Sequence, residues 1–556
     1  MPSFLLLSCA VQEAPQGGPI DSDPPKLITS YPEPFTTHYS EKRIVLEFDE
    51  YVEQRSVEES IFISPFVGEL EFDWSGAEVE ITFPEELRKN TTYVVNVGTD
   101  VEDLHGNKMA EAATLAFSTG DDIDHGSIEG KVFRQTGEEE LRGVMIFAYN
   151  LNGINPDTLD PERTKPDYIT QTGKDGSFSL RHLSFGSYRI LAVRDAYRNL
   201  LYDPEADQYG VPAWIAELTP SDTLQSGLFM RLAVEDTTAP RLVKAEATDS
   251  HHMIVEFSDE MDTSEHAPLT CTVVDTTTQQ PLAVHSFFPN LPSLKTFTLV
   301  TAGQDSTASY RVSATGGNDL AGNRINPSVN SLVVQGSSKQ TRPPRLVAVS
   351  IVDSARSIGL LPGVSAIFSD AMARESVRGA VSLKDHAGSV VPTDLQWLND
   401  AAILVTPRSR LSAKSWFTLI LKLRESRDWR DTSSTDTTRT FRFETLDDES
   451  MSSIEGTTVD HNRADTAGVV FVTATSVLEK GTRNYTVAAA GDGRFTFSEI
   501  LEGKYILQAF RDRNRNRILD VGKPYPFSPS ERLSPMSDTL KVRARWPLEG
   551  VKIDLP

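Results

Sequence analysis

Glu78-Val-Glu-Ile-Thr-Phe83 and Thr92-Tyr-Val-Val-Asn-Val97 carry the pattern on which the fold turns. Polar and apolar side chains alternate at a period of two, which sets one face of an extended strand in a core and the other in water. Ile44-Val-Leu-Glu-Phe48 repeats the pattern upstream, after Pro24-Pro25 has fixed an extended approach. Asp103-Leu-His-Gly-Asn107 then supplies a tight turn whose Gly and Asn accept positive φ, and Thr114-Leu-Ala-Phe-Ser-Thr-Gly120 closes the set. These features predict a half-buried β-sandwich over residues 24–120. The only helical turn expected in it is at Glu85 to Lys89.

The same grammar returns twice. Pro240-Arg-Leu242 leads to Met253-Ile-Val-Glu-Phe-Ser-Asp-Glu-Met261, and Asp319-Leu-Ala-Gly-Asn323 repeats the turn. Pro343-Pro-Arg-Leu346 leads to Val364-Ser-Ala-Ile-Phe-Ser-Asp-Ala-Met372 and Thr440-Phe-Arg-Phe-Glu-Thr445, with Asp428-Trp-Arg-Asp431 in place of the turn. The pattern resembles the bacterial Ig-like domain of the SbsA type, named for surface-layer proteins. The first copy adds Ile63-Ser-Pro65 and Asn90-Thr-Thr-Tyr93 to the match.

A second repeat lies between and after these copies. Ile128-Glu-Gly-Lys-Val132 and Ile454-Glu-Gly-Thr-Thr458 open it, followed by the apolar runs Gly143 to Tyr149 and Gly468 to Ala474. Lys174-Asp-Gly-Ser-Phe178 and Gly491-Asp-Gly-Arg-Phe495 read as two-residue hairpins with positive φ at both central positions. The closing Gly186-Ser-Tyr-Arg-Ile190 and Gly503-Lys-Tyr-Ile-Leu507 stand at the same spacing from those turns. These two units resemble the carboxypeptidase-regulatory, transthyretin-like β-sandwich. The resemblance implies an accessory module without a catalytic part. The expected fold is therefore all-β, with tandem Ig-like and transthyretin-like sandwiches in an extended array. Its boundaries are 1–23 signal and tether, 24–120 Ig-like, 121–236 transthyretin-like, 237–338 Ig-like, 339–447 Ig-like and 448–556 transthyretin-like.

Leu5-Leu6-Leu7-Ser8-Cys9 resembles a bacterial lipobox, which implies cleavage before Cys9 and acylation of its thiol. The leader before it lacks Lys and Arg and is shorter than a full signal, which points to a start upstream. Residues 10–23, rich in Gln, Pro, Gly and acid, suit a flexible tether. The chain is thus expected in a Gram-negative cell envelope, lipid-anchored to the outer membrane. Its 556 residues call for four or five cores, and a net charge of −25 repels nucleic acid and anionic lipid alike. With Cys9 lipidated, Cys271 has no disulfide partner and reads as a small buried residue.

Catalytic patterns are missing from the sequence: no His-Glu-x-x-His, no Gly-x-Ser-x-Gly and no phosphate loop. His251 and His252 are adjacent in a strand and point to opposite faces, which suits a surface or turn role better than chelation. The sharpest candidate site is Asp512, Asn514, Asn516 and Asp520, whose spacing matches the front of a calcium loop. Arg517 stands where such a loop wants Gly, so the alternative is an Asx-rich turn. Asp195, Asn199 and Asp203 form its earlier counterpart. Among the tryptophans, Trp74 and Trp416 read as core, and Trp214, in a long loop, is a candidate for stacking on a ligand. The sequence accordingly points to a non-enzymatic envelope lipoprotein with a structural or adhesive role. Its partner would be an unknown envelope protein or a glycan. The alternative is a carbohydrate-binding accessory protein.

Overall fold

The structure, a computed structural model, describes residues 21–134, 140–264, 268–462, 465–478 and 482–556. Cys9 and the tether up to residue 20 lie outside the described residues. The protein is all-β. Among the described residues, ten sheets form five face-to-face pairs along the chain. The only α-helices among the described residues are Gln54–Glu58 and Arg374–Ala380. No helix forms at residues 85–89, where the chain is irregular between a bend at its start and a turn at its end.

The first, third and fourth units share one plan. In the first, Leu27–Tyr31, Arg43–Phe48, Glu78–Thr82 and Glu71–Ser75 form an antiparallel sheet facing Ile61–Ser64, Thr92–Val97 and Ala113–Ser118. Ile44, Leu46 and Phe48 alternate inward and meet Val79 and Ile81 from the next strand. Each such side chain is worth about 1.5–3 kcal/mol when fully buried. The third unit repeats the first sheet with Leu242–Ala247, His252–Phe257, Thr296–Thr301 and Val284–Pro289. The fourth does so with Leu346–Val349, Val364–Phe368, Ala402–Pro407 and Thr393–Asn399.

The turn missing from the letters of the third copy is present in its geometry. Asp103, Asp319 and Asp428 are all buried. Their Oδ1 atoms accept the N–H of Asn107, Asn323 and Thr432, at 2.8 Å in each case. Positive φ falls on Gly106, Gly322 and, in the third copy, Asp431, so glycine is replaced by one of the few other residues that tolerate that region. The asparagine contributes its amide, not its backbone freedom. Asn107 and Asn323 donate from Nδ2 to the carbonyls of Asp21 and Asp236, which ties down the segment leading into each sandwich.

The second and fifth units also match each other. Gly126–Phe133 lies between antiparallel Ser177–Leu183 and parallel Leu224–Arg231; Met451–Asp460 lies likewise between Arg494–Leu501 and Leu548–Leu555. The glycine of each Ile-Glu-Gly motif has a steric reason. A methyl on Gly130 would overlap the Leu228 carbonyl oxygen and stand 2.6 Å from the Phe178 ring. One on Gly456 would overlap the Val551 carbonyl oxygen and the Phe495 ring. Tyr188 and Tyr505, both buried, donate to carbonyls four residues upstream, those of Ser184 and Leu501.

The Asp-Gly turns differ from expectation. Only the glycines take positive φ, +84° at Gly176 and +85° at Gly493. The strands they connect, Tyr168–Gln171 to Ser177–Leu183 and Asn484–Ala488 to Arg494–Leu501, belong to opposite sheets of a sandwich. They are corners between layers, not two-residue hairpins.

Two departures concern packing between units. Thr92–Val97 is buried along its whole length, not on one face alone. Val94 joins the core of the second unit, and Asn96 Nδ2 donates to the Ile169 carbonyl at 2.7 Å, so the second unit covers its outer face. The array also folds back on itself. Phe133 of the second unit joins Phe510 and Leu533 of the fifth in one buried cluster. Tyr209 donates to the Gly522 carbonyl at 2.9 Å, and the Arg189 guanidinium lies over the Phe527 ring at 4.1 Å. Apolar side chains left on both outer sheets make this contact favourable.

Gly456→Ala is expected to lower unfolding stability by about 1–3 kcal/mol, the usual cost of forcing an atom into a packed site. Gly491→Ala, which meets nothing within 4 Å, should be near neutral. Chemical denaturation of the two variants checks the difference.

Candidate functional site

The loop after Gly503–Asp512, the last long strand of its sheet, brings together all four residues of the calcium-like spacing. Asp512 is buried. Its Oδ1 accepts from the backbone N–H of Arg515 at 2.6 Å and of Asn516 at 3.2 Å, and its Oδ2 from that of Arg517 at 2.8 Å. Asn514 Oδ1 accepts the Asn516 N–H at 2.9 Å, and Asn516 Oδ1 accepts the Ile518 N–H at 2.7 Å. Those bonds fix both amides so that their NH2 groups face Asp520, at 2.7 Å from Asn514 and 3.3 Å from Asn516. Glu531 closes the loop from outside, accepting the N–H of Arg513 at 2.6 Å and of Asp520 at 3.1 Å. Burial pushes the Glu531 carboxyl above its ordinary range, only partly offset by those two donors.

Calcium takes six to eight oxygens at about 2.3–2.6 Å. Here the oxygens of Asp512, Asn514 and Asn516 accept backbone N–H groups and both amide NH2 groups face Asp520, which is the geometry of the Asx-rich turn. The counterpart loop is built alike: Asp195 accepts from the N–H of Asn199 at 3.3 Å and of Leu200 at 2.8 Å, and Asn199 donates to Asp203 at 2.8 Å. The arrangement holds a loop and positions Arg517 and Leu519.

A charge network lies beneath it. Arg532 is almost wholly buried and meets Asp460 at 2.6 and 2.8 Å, Asp465 at 3.0 Å and the Pro556 carbonyl at 2.7 Å. Burial raises the Asp460 carboxyl, but Arg532 and Arg511 more than reverse this and hold it below its ordinary range. Nothing in the sequence singled out Arg532, because its partners are 67 and 72 residues away.

The other candidates separate. Trp214 is half-buried and packs against the core of the second unit. Trp416 is not in a core: it sits on an outer face with the Arg442 guanidinium 4.4 Å and that of Arg356 5.7 Å from its ring centre. Trp74 is half-buried against the first core, and the tryptophan most open to solvent is Trp546, 73% exposed. Cys271 lies in the core of the third unit, where burial pushes its thiol up to about 12 and leaves it unreactive.

His251 precedes the strand that His252 opens, and the two do not diverge: His251 Nδ1 is 2.9 Å from Thr341 Oγ1, which donates to Asp249, the partner of His252. His252 is buried, not on the surface. It joins the third unit to the fourth: Nδ1 is 2.9 and 3.0 Å from the Asp249 oxygens, and Nε2 is 3.1 Å from Asp370 Oδ1, off the line of a good hydrogen bond. Burial would lower its pKa, yet the two carboxylates raise it to about 9. Arg430 stands on the far side of Asp370 at 3.5 Å. His285 stacks on Trp429 beside this joint, with ring centres 4.5 Å apart.

Among the described residues no helix is long and apolar enough to cross a membrane. A family model described as bacterial Ig-like domain matches residues 21–119 and 340–445, the first and fourth units. No curated protein matches the chain. Solved structures similar to it include the N-terminal part of the bacterial S-layer protein SbsC, at 15% identity, 37% of this chain, 44% of that one and a TM-score of 0.17. SbsC domains 1–6 give 10% identity, 95% of this chain, 68% of that one and 0.17. An L,D-transpeptidase from Mycobacterium smegmatis gives 12% identity, 38% of this chain, 90% of that one and 0.18.

Two outcomes follow. Calorimetric titration with millimolar calcium is expected to give no saturable heat, while Asp512→Ala lowers stability with or without the ion; a saturable heat abolished in that variant would restore the calcium reading. Because His252 has a folded pKa above its unfolded value of about 6.5, its contribution is full below that pH and is lost as pH rises through about 9. Calorimetric melting should show this loss between those limits, and His252→Gln should flatten it.

Proposed function

We propose that this chain is a non-enzymatic lipoprotein of a bacterial cell envelope that presents β-sandwich surfaces away from the membrane. The observation that carries this reading is the match to the bacterial Ig-like domain at residues 21–119 and 340–445. The third unit, 237–338, supports it with the same sheet order and the same buried aspartate turn. Units 121–236 and 448–556 read as transthyretin-like modules. Their common topology, matched glycines and matched tyrosines favour this. Strand pairing supports the boundaries in this reading, since no paired strands among the described residues straddle them.

The anchor in this reading is a lipid on Cys9 in the outer membrane, and the partner is an envelope protein or a glycan. Capture of glycan by Trp214 is the weaker form, because that ring is half-engaged by the core beneath it.

Fractionation and proteinase K treatment of intact cells test the proposal. The wild type should sediment with membranes, and Cys9→Ala should appear in the soluble fraction. Digestion without lysis would favour adhesion at the surface, and protection until the outer membrane is opened would favour a periplasmic scaffold. A Cys9→Ala chain that still sediments would overturn the anchor.

A further inference from the structure

The contact between the second and fifth units leaves a cleft of about 810 Å³ beside its apolar cluster. This is the size and position at which small-molecule sites commonly occur, at a boundary between units with an apolar floor and a few polar groups. Phe133 and Phe510 form part of the floor. Lys131, Lys174, Arg231 and Arg517 line the walls, a concentration of positive charge in a chain whose net charge is −25. Lys131 is paired with Asp175 at 2.8 Å.

Arg231 is the anomaly. Its Nη2 donates to the Gln508 side-chain oxygen of the fifth unit, while its buried Nε has no hydrogen-bond partner. Among the described residues no carboxylate acts on it: burial lowers its pKa below the ordinary arginine value. A guanidinium withdrawn from water without a counter-ion is costly, and such a cation ordinarily has an acid beside it. Arg189, the other desolvated arginine of this contact, shares the unpaired Nε but differs because carbonyl oxygens and the Phe527 ring cover it and Asp157 acts on it. Arg517 is brought to the rim by the Asx loop, through the bond from its N–H to Asp512. This gives the loop a role in the cleft that requires no metal.

We propose that the cleft binds a small organic carboxylate, its apolar or aromatic body on the Phe133 and Phe510 floor and its carboxylate on Arg231, with Lys174 and Arg517 at the mouth. A planar carboxylate fits the guanidinium fork with two parallel hydrogen bonds. A multiply charged phosphate would be poorly matched to the apolar floor. The inference is independent of where the chain resides.

Fluorescence anisotropy on the full chain tests it, with 1-pyrenebutyrate as probe and the uncharged 1-pyrenebutanol as its control. The butyrate should bind one to one and about tenfold more tightly than the alcohol. Arg231→Gln should weaken the butyrate by about tenfold and leave the alcohol unchanged, the loss expected of a charge-assisted pair. No butyrate binding, equal affinity for the two probes, or an unaffected Arg231→Gln would each overturn the proposal. Should Arg231→Gln disturb docking onto Gln508, the double variant Lys174→Gln/Arg517→Gln alters only exposed side chains. It should weaken the butyrate by about threefold through lost attraction at the mouth, and no change would count against the site.

Discussion

Every unit of this protein depends on two sheets covering each other's apolar face. A single sheet from this chain would leave residues such as Ile44, Leu46, Val79 and Ile81 in water, and the described residues include no helix layer to cover them. The sandwich is therefore the smallest structure the pattern can form. Its repetition produces five separate cores instead of one, as a chain of this length requires.

Within that constraint, buried polar groups set the details. In the Ig-like plan one buried aspartate fixes a turn, and an asparagine amide beside it fastens the preceding segment. In the other plan a tyrosine hydroxyl bonds back over its corner. An unpaired buried donor or acceptor costs more than a satisfied one gains, so these bonds choose among backbone paths more than they add stability. The same logic explains the fifth unit, where Arg532 is tolerated in the interior because Asp460, Asp465 and the Pro556 carbonyl surround it.

Contacts between units give the molecule its shape. The second unit covers a strand of the first, His252 bridges the third to the fourth, and the fifth returns to the second. The return contact brings Arg231 and Arg517, from units more than two hundred residues apart in the chain, to one cleft. Such a feature arises between modules, and a reading of the modules one at a time does not contain it.

The all-β fold, the plan shared by the first, third and fourth units and the plan shared by the other two were legible in the sequence. Periodicity and turn chemistry are local, and these units repeat them with little change. The Asx character of the loop at Asp512 was legible for the same reason, since its hydrogen bonds run within a few residues. What the sequence alone did not disclose was long-range: the parallel closing strands, the full burial of Thr92–Val97, the seat of His252 and the fold-back. Even the missing turn of the third copy was invisible in its letters, because Asp431 and Thr432 reproduce with other residues a geometry that Gly and Asn provide elsewhere. Local pattern determines which residues face a core; which surface comes to cover the remaining face is decided only when distant units meet, through packing that leaves no periodic mark in the chain.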